Sequence, residues 1–408
     1  MAKRCPVCGE PKLYLDCLEC EDRHQCDGTA RNSNKEDRKN GYEEEKNMGT
    51  RPKLLIVDGS SMLATAYYAY MPNEMKFAKS DEEREVHYDK LLHAPDGTYT
   101  NAVFGMSVQL SRLLSGWKPD HLAVAFDKTR NTFRRGMYDG YKAQRKETQK
   151  PLKEQMALMQ ELLSSCGIPV FLSDIYEADD LAGTLAHKYK EKMTVRLVSK
   201  DRDYLQLVDD AHDVRLWVPA AEKNAEEARK KHAPYLGDGY ECPDFMKHLI
   251  EYTDESVFAD KGVYPKNILD LKAIEGDNSD NIPGIKGVSS AAAPLIREYG
   301  GLKGIYEAID ACGGDAKKEK ELSAFWKTGL SISKSPLNAM KRDREMAFLS
   351  LDLATIRTYC DEAQDFDLEA NPLKCADFKK LNEKLLDLGI KNARFEDSTG
   401  DKGQGEIQ

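Results

Sequence analysis

The sequence predicts an α/β fold built on a mostly parallel central sheet. Three short apolar runs, each closed by an acidic residue, carry this expectation: 53–58 ending in Asp58, 120–127 ending in Asp127, and 195–199 followed by Lys200 and Asp201. A fourth run, 214–218, has the same character, and helical periodicity fills the intervals at 101–115, 151–166 and 178–192. Strands alternating with helices place helices on both faces of a parallel sheet. Such sheets bind ligands beyond the carboxyl ends of their strands, which is where these acids fall.

Residues 1–26 are rich in cysteine. Cys5, Cys8, Cys17 and Cys20 form two C-x₂-C pairs separated by eight residues. Two such knuckles supply four thiolates in tetrahedral reach, the geometry of a structural Zn²⁺ site. Ten cysteines in a secreted chain would suggest disulfides, but Met1 to Glu10 lacks the apolar core of a secretion signal. The expectation is a cytoplasmic chain with reduced thiols. The scattered Cys166, Cys242, Cys312, Cys360 and Cys375 are then expected in the core.

Residues 27–50 hold almost no large apolar side chains and read as a flexible linker. The main domain is expected over 51–262, with insertions near 72–94 and 219–255. The latter reads as irregular, with a solvated helix around 222–231. Residues 263–395 read as a helical region and 396–408 as a polar tail.

The 408 residues suffice for two or three domains, and no stretch approaches 18 consecutive apolar residues, so no membrane span is expected. The net charge of −10 is unusual for a protein that binds nucleic acid. A local field matters more than the sum: residues 128–153 carry nine basic side chains against Asp139 and Glu147.

The acids form four clusters at element ends: Asp58 with Asp127; Glu177, Asp179 and Asp180 opening a helix; Asp201 and Asp203; Asp277 and Asp280 in Gly-Asp-Asn-Ser-Asp-Asn-Ile-Pro-Gly. Any one of them could be a turn or cap residue. Together, without histidine, they select Mg²⁺ or Mn²⁺ over zinc. Two such ions suit in-line displacement at a phosphodiester. A Lys point charge and an Arg fork in such a basic stretch can clamp the phosphate. A sugar or phosphate hydrolase is disfavoured, since the chain has neither a phosphate loop nor a nucleophile elbow.

These residues resemble the flap endonuclease family, in particular the 5′-nuclease domain of bacterial DNA polymerase I and its free-standing phage relatives. The resemblance rests on Leu-Ile-Val-Asp58-Gly-Ser-Ser, Phe-Asp127 with Thr-Phe-Arg134-Arg135 downstream, Tyr141-Lys142-x-x-Arg145, Glu177-Ala-Asp-Asp-Leu, Lys200-Asp-Arg-Asp203, and the segment 276–287. It runs in order over about 53–365, and the chain leaves no room for a polymerase, so the free-standing type is expected.

The resemblance implies a PIN-like nuclease domain with a basic helical arch and a C-terminal helix-three-turn-helix region. It implies Mg²⁺-dependent 5′-3′ exonuclease and flap endonuclease activity. Asp58, Asp127, Glu177 and Asp179 would hold one metal, Asp201, Asp203, Asp277 and Asp280 a second, with Asp180 in support. Lys142 and Arg145 would contact the scissile phosphate. Arg134 and Arg135, with Gly284, Lys286 and Gly287 of a helix-hairpin-helix turn, would bind DNA, and K⁺ could sit on carbonyls of that turn.

The implied partners are DNA with 5′ flaps, overhangs or nicks, with RNA–DNA hybrid as an alternative. A monomer is expected, with a replication protein as the candidate partner of the zinc module. A primer-removing ribonuclease, or an inactive DNA-binding relative, are the alternatives in function. The chain departs from the family at Ala64, where relatives carry a base-stacking aromatic; Tyr67 or Tyr68 are the candidate replacements. It departs again after Gly287, where Val-Ser-Ser replaces a glycine and a lysine.

Overall fold

The computed structural model describes residues 51–235 and 242–396. The cysteine module, the linker at 27–50 and nearly all of the polar tail therefore lie outside the described residues.

The sheet has six strands: β1 (Lys53–Asp58), β2 (His121–Ala125), β3 (Val170–Phe171), β4 (Thr194–Val198), β5 (Val214–Pro219) and β6 (Leu249–Tyr252). Their spatial order is β3-β2-β1-β4-β5-β6, with all neighbours parallel except the β5–β6 pair. β1 lies inside the sheet and is buried on both faces, which is why it reads as an unbroken apolar run.

The two-residue alternation of β1 splits the core in two. Leu54 and Ile56 face one layer with Leu181, Ala182 and Leu185 of α5 (Ala178–Tyr189). Leu55 and Val57 face the other, against α1 (Gly59–Ala69), α2 (Asn101–Trp117) and α4 (Lys150–Ser165).

Four predicted strands and three predicted helices are present within a few residues of their expected bounds. β3, with two residues, is too short to show a period. β6 lies inside the segment expected to be irregular. Its buried Leu249, Ile250 and Tyr252 pair it with β5, while Glu251 accepts from Trp217 Nε1 at 2.7 Å and Arg215 Nη1 at 2.9 Å. The solvated helix is α6 (Glu222–His232), anchored by buried Ala225 and His232.

The basic stretch differs from the expected helical arch. It holds one short helix, α3 (Phe133–Met137), followed by turns up to α4. The insertion at 72–94 forms the one-turn helices Asn73–Lys76 and Asp81–Glu85, and Lys146 reaches across to Asp81 at 2.9 Å.

The C-terminal helices include α7 (Ile268–Glu275), α8 (Ser289–Tyr299) and α9 (Arg344–Ala354), and these join the core on the α5 side. The last segment crosses back. In α10 (Phe378–Asp387), Phe378, Leu381 and Leu385 pack into the opposite layer, and Lys380 Nζ donates to Ser165 O at 2.8 Å. The segment from Leu373 onward thus packs against the core layer opposite α5. Of the scattered cysteines, Cys166, Cys312 and Cys360 are buried as expected. Cys242 is half-buried and Cys375 is exposed, a correction to their expected core position.

Candidate active site

Each acid first serves the backbone that delivers it. Asp58 ends β1 and caps α1: Oδ1 accepts from Ser61 N at 2.9 Å and Oδ2 from Ser199 Oγ at 2.8 Å. Asp127 follows β2, and its Oδ1 accepts from Ala178 N at 2.9 Å, which ties it to the start of α5. Glu177 is the cap of that helix, and its own N–H donates to Asp180 Oδ2 at 3.1 Å. Asp201 follows β4, and its Oδ1 accepts from Asp203 N at 2.9 Å. The cap reading and the ligand reading therefore describe the same residues: capping aims them at one edge.

The resulting field is strongly acidic. Burial, and then the charge of Asp127, pushes the Asp58 carboxyl up to about 7. Burial likewise raises Asp179 well above the carboxylate range, and its Oδ1 is buried with no hydrogen-bond partner. The hydroxyl of Tyr204 is also buried without a partner, in the field of Asp58, Asp179, Asp201 and Asp127.

Side-chain cations balance part of this charge. Lys142 Nζ lies 2.6 Å from Glu177 Oε2 and 3.4 Å from Asp280 Oδ2. Burial alone would lower its pKa, but the two carboxylates hold it well above the ordinary value. Lys142 has φ +52, and its N–H donates to Asp280 O at 2.9 Å, so an unusual backbone conformation is fixed at this site. Arg145 bonds Asp280 Oδ1, and the hydroxyl of Tyr141 lies 3.1 Å from Glu177 and 3.3 Å from Asp280. Lys272 of α7 bonds both Asp203 and Asp277.

Among the described residues, no three His, Cys, Asp or Glu converge on one cation position. The lysines and arginines stand between the carboxylates. The donor chemistry still fits a hard divalent ion: the donors are oxygen without histidine, Asp58 is incompletely neutralised, and Asp179 Oδ1 makes no hydrogen bond, with the Arg134 guanidinium 3.7 Å away.

Four expectations need correction. Arg134 is not a DNA contact: it is 1% exposed and gives a bidentate pair to Asp180, both contacts at 2.7 Å. Asp180 is not available to a metal, since its oxygens also accept from Arg357 N and Glu177 N. Its part is to hold Arg134. Gly284 is buried, and its N–H donates to Ser350 Oγ at 3.0 Å, so it cannot reach a phosphate. A Cβ there would lie 2.3 Å from Gly276 N, which explains the glycine by close backbone packing. Tyr67 is fully buried and bonds Gln149, so it cannot stack on a base, whereas Tyr68 is 54% exposed.

Arg135 is half-buried, and Lys286 and Gly287 are exposed just before α8. Sequence reasoning assigned no role to Lys272, Tyr204, Ser199 or Tyr141. Tyr141, Ser199 and Tyr204 adjoin recognised motifs and could have been found there. Lys272 carries no local signal.

The fold and the site together define an α/β protein with acidic side chains gathered at the ends of its strands. Residues 53–233 match the 5′-3′ exonuclease N-terminal resolvase-like domain, and residues 263–379 match the 5′-3′ exonuclease C-terminal SAM fold. The chain belongs to the 5′-3′ exonuclease family, a family of nucleases.

It is 30% identical to DNA polymerase I of Bacillus caldotenax over 344 residues, which covers 84% of this chain and 32% of that protein. It is 33% identical to DNA polymerase I of Streptococcus pneumoniae R6 over 310 residues, covering 76% and 29%. The chain thus spans about a third of the length of these relatives. A crystal structure of the T5 D15 protein co-crystallized with metal ions is 20% identical, with a TM-score of 0.49, over 82% of this chain and 99% of that one. No helix among the described residues is long and apolar enough to cross a membrane.

Proposed function

We propose that the protein hydrolyses DNA phosphodiesters at or near a free 5′ end, as an exonuclease and flap endonuclease that depends on two Mg²⁺ or Mn²⁺ ions. The observation that carries this reading is the buried acidic field at the strand ends, in which the charges of Asp127 and Asp201 help to raise Asp58, together with Lys142 on Glu177 and Asp280 and Arg145 on Asp280. Asp58, Asp127, Glu177 and Asp179 would hold one ion, and Asp201, Asp203, Asp277 and Asp280 the other. Such ions supply an activated water and charge stabilisation at the leaving oxygen.

The chain's own residues bind and orient. Lys142 and Arg145 sit at the mouth of the acid cluster, where a phosphate would exchange their carboxylate partners for its own oxygens. Lys286 and Gly287, before the eleven-residue α8, present positive charge and backbone N–H groups to duplex phosphates. Tyr68 is the exposed aromatic available to a base. The C-x₂-C pairs Cys5/Cys8 and Cys17/Cys20 are proposed as ligands of one Zn²⁺, on their spacing, and metal analysis of the full chain should then find one zinc per chain.

Lys142→Ala tests the catalytic assignment. The single-turnover rate on a flap duplex should fall roughly 10²-fold or more, while the dissociation constant changes by only a few fold. A loss confined to binding would reduce Lys142 to a phosphate contact.

A further inference from the structure

Lys272 occupies a position that the proposed chemistry does not use. It lies on α7, its side chain is 14% exposed, and its Nζ bonds Asp203 Oδ1 and Asp277 Oδ2, the latter at 2.7 Å. The two carboxylates come from separate elements, one beyond β4 and one beyond α7. The other oxygen of Asp277 accepts from Ser279 N at 2.8 Å and Ser279 Oγ at 2.6 Å. Both oxygens of Asp277 are therefore engaged, and of their partners only the ammonium rides on a long flexible side chain.

We propose that Lys272 is the resident counter-ion of this carboxylate pair, and that a divalent cation occupies the second site only by displacing its ammonium. The inference rests on the metal reading of the acid cluster given above. The ammonium bridges the two carboxylates and is the cation that pairs with both of them. Asp203 is buried and Asp277 half-buried, and one bridging ammonium serves both carboxylates. One ammonium supplies a single charge and a divalent ion supplies two. A divalent ion bound through these carboxylates would need the oxygens that the ammonium holds, so the two compete for one place. The second site is consequently closed to weakly held cations and fills after the first.

Mn²⁺ titration of the full chain without DNA, read by the EPR signal of free Mn²⁺, tests this. Wild type should bind one ion tightly and a second more weakly. Lys272→Met should tighten the second at least tenfold and lower the thermal midpoint in EDTA, with the midpoint restored by saturating Mn²⁺. An unchanged or weakened second site in Lys272→Met would overturn the proposal.

A measurement on wild type covers the case in which the variant does not fold. Acetylation of Lys272, followed by mass spectrometry and referenced to Lys317 and Lys320, should accelerate severalfold when Mn²⁺ is added; an unchanged rate with two ions bound overturns the displacement. Wild type that binds no divalent ion would instead sink the metal reading itself, an outcome distinct from either of these.

Discussion

Replacing Arg134 with Met should destabilise the protein severely without first touching DNA. The guanidinium gives two 2.7 Å bonds to Asp180, one of 3.0 Å to Leu353 O and one of 2.9 Å to Thr355 O. It thereby ties α3 to α5 and to the end of α9. Asp180 has no exposed surface. Its charge would remain with only the N–H groups of Glu177 and Arg357. Breaking one side of a buried pair costs roughly 3–5 kcal/mol. Two carbonyls would also lose their donor, and that penalty of about 1–3 kcal/mol each overlaps in part with the first. A loss near 5 kcal/mol is the expectation.

Urea unfolding of the metal-free protein reads this loss. With a slope of about 3 kcal/mol per molar, the midpoint should fall by about 1.7 M. Arg134→Met/Asp180→Leu should recover most of the loss, because the uncompensated charge is then gone. A midpoint shift below roughly 0.3 M, accompanied by salt-dependent loss of DNA affinity, would refute the reasoning and return Arg134 to the DNA-binding surface.

Further outcomes follow from the same contacts. Asp58, raised to about 7 in the fold against about 3.9 unfolded, keeps a proton that the unfolded chain releases in that window. Metal-free stability should therefore fall as pH rises from about 4 to about 7, and Asp58→Asn should flatten that slope in thermal melts in EDTA. Gly284→Ala should cost at least roughly 2 kcal/mol, since φ is +59 and the new methyl meets the Gly276 backbone; a neutral result in urea unfolding would contradict the packing account.

The sheet was legible wherever an apolar run ended in an acid, because burial on both faces leaves no polar position in a strand such as β1. β6 was not, because four residues beside a charged helix do not establish an alternation. Asp58, Asp127 and Glu177 were legible as element ends for a related reason: each follows an apolar run or caps a helix. The cations were not. Arg134 and Lys142 share one basic stretch and one composition, and only tertiary burial separates the structural clamp from the site residue. Gly284 and Gly287 look alike in sequence, yet one packs against Gly276 and the other meets solvent. Lys272 belongs to no motif at all; its role arises where α7 crosses the turn beyond β4.

The most direct test is cleavage of a 5′-labelled DNA flap duplex by the purified full chain, in Mg²⁺ and then in EDTA, beside Asp179→Asn. Metal-dependent release of the flap near its junction, absent in EDTA and in the variant, is the predicted result. Intact binding without any cleavage in Mg²⁺ or Mn²⁺ would contradict the account, and an RNA flap of the same sequence would then separate a ribonuclease from an inactive DNA-binding relative.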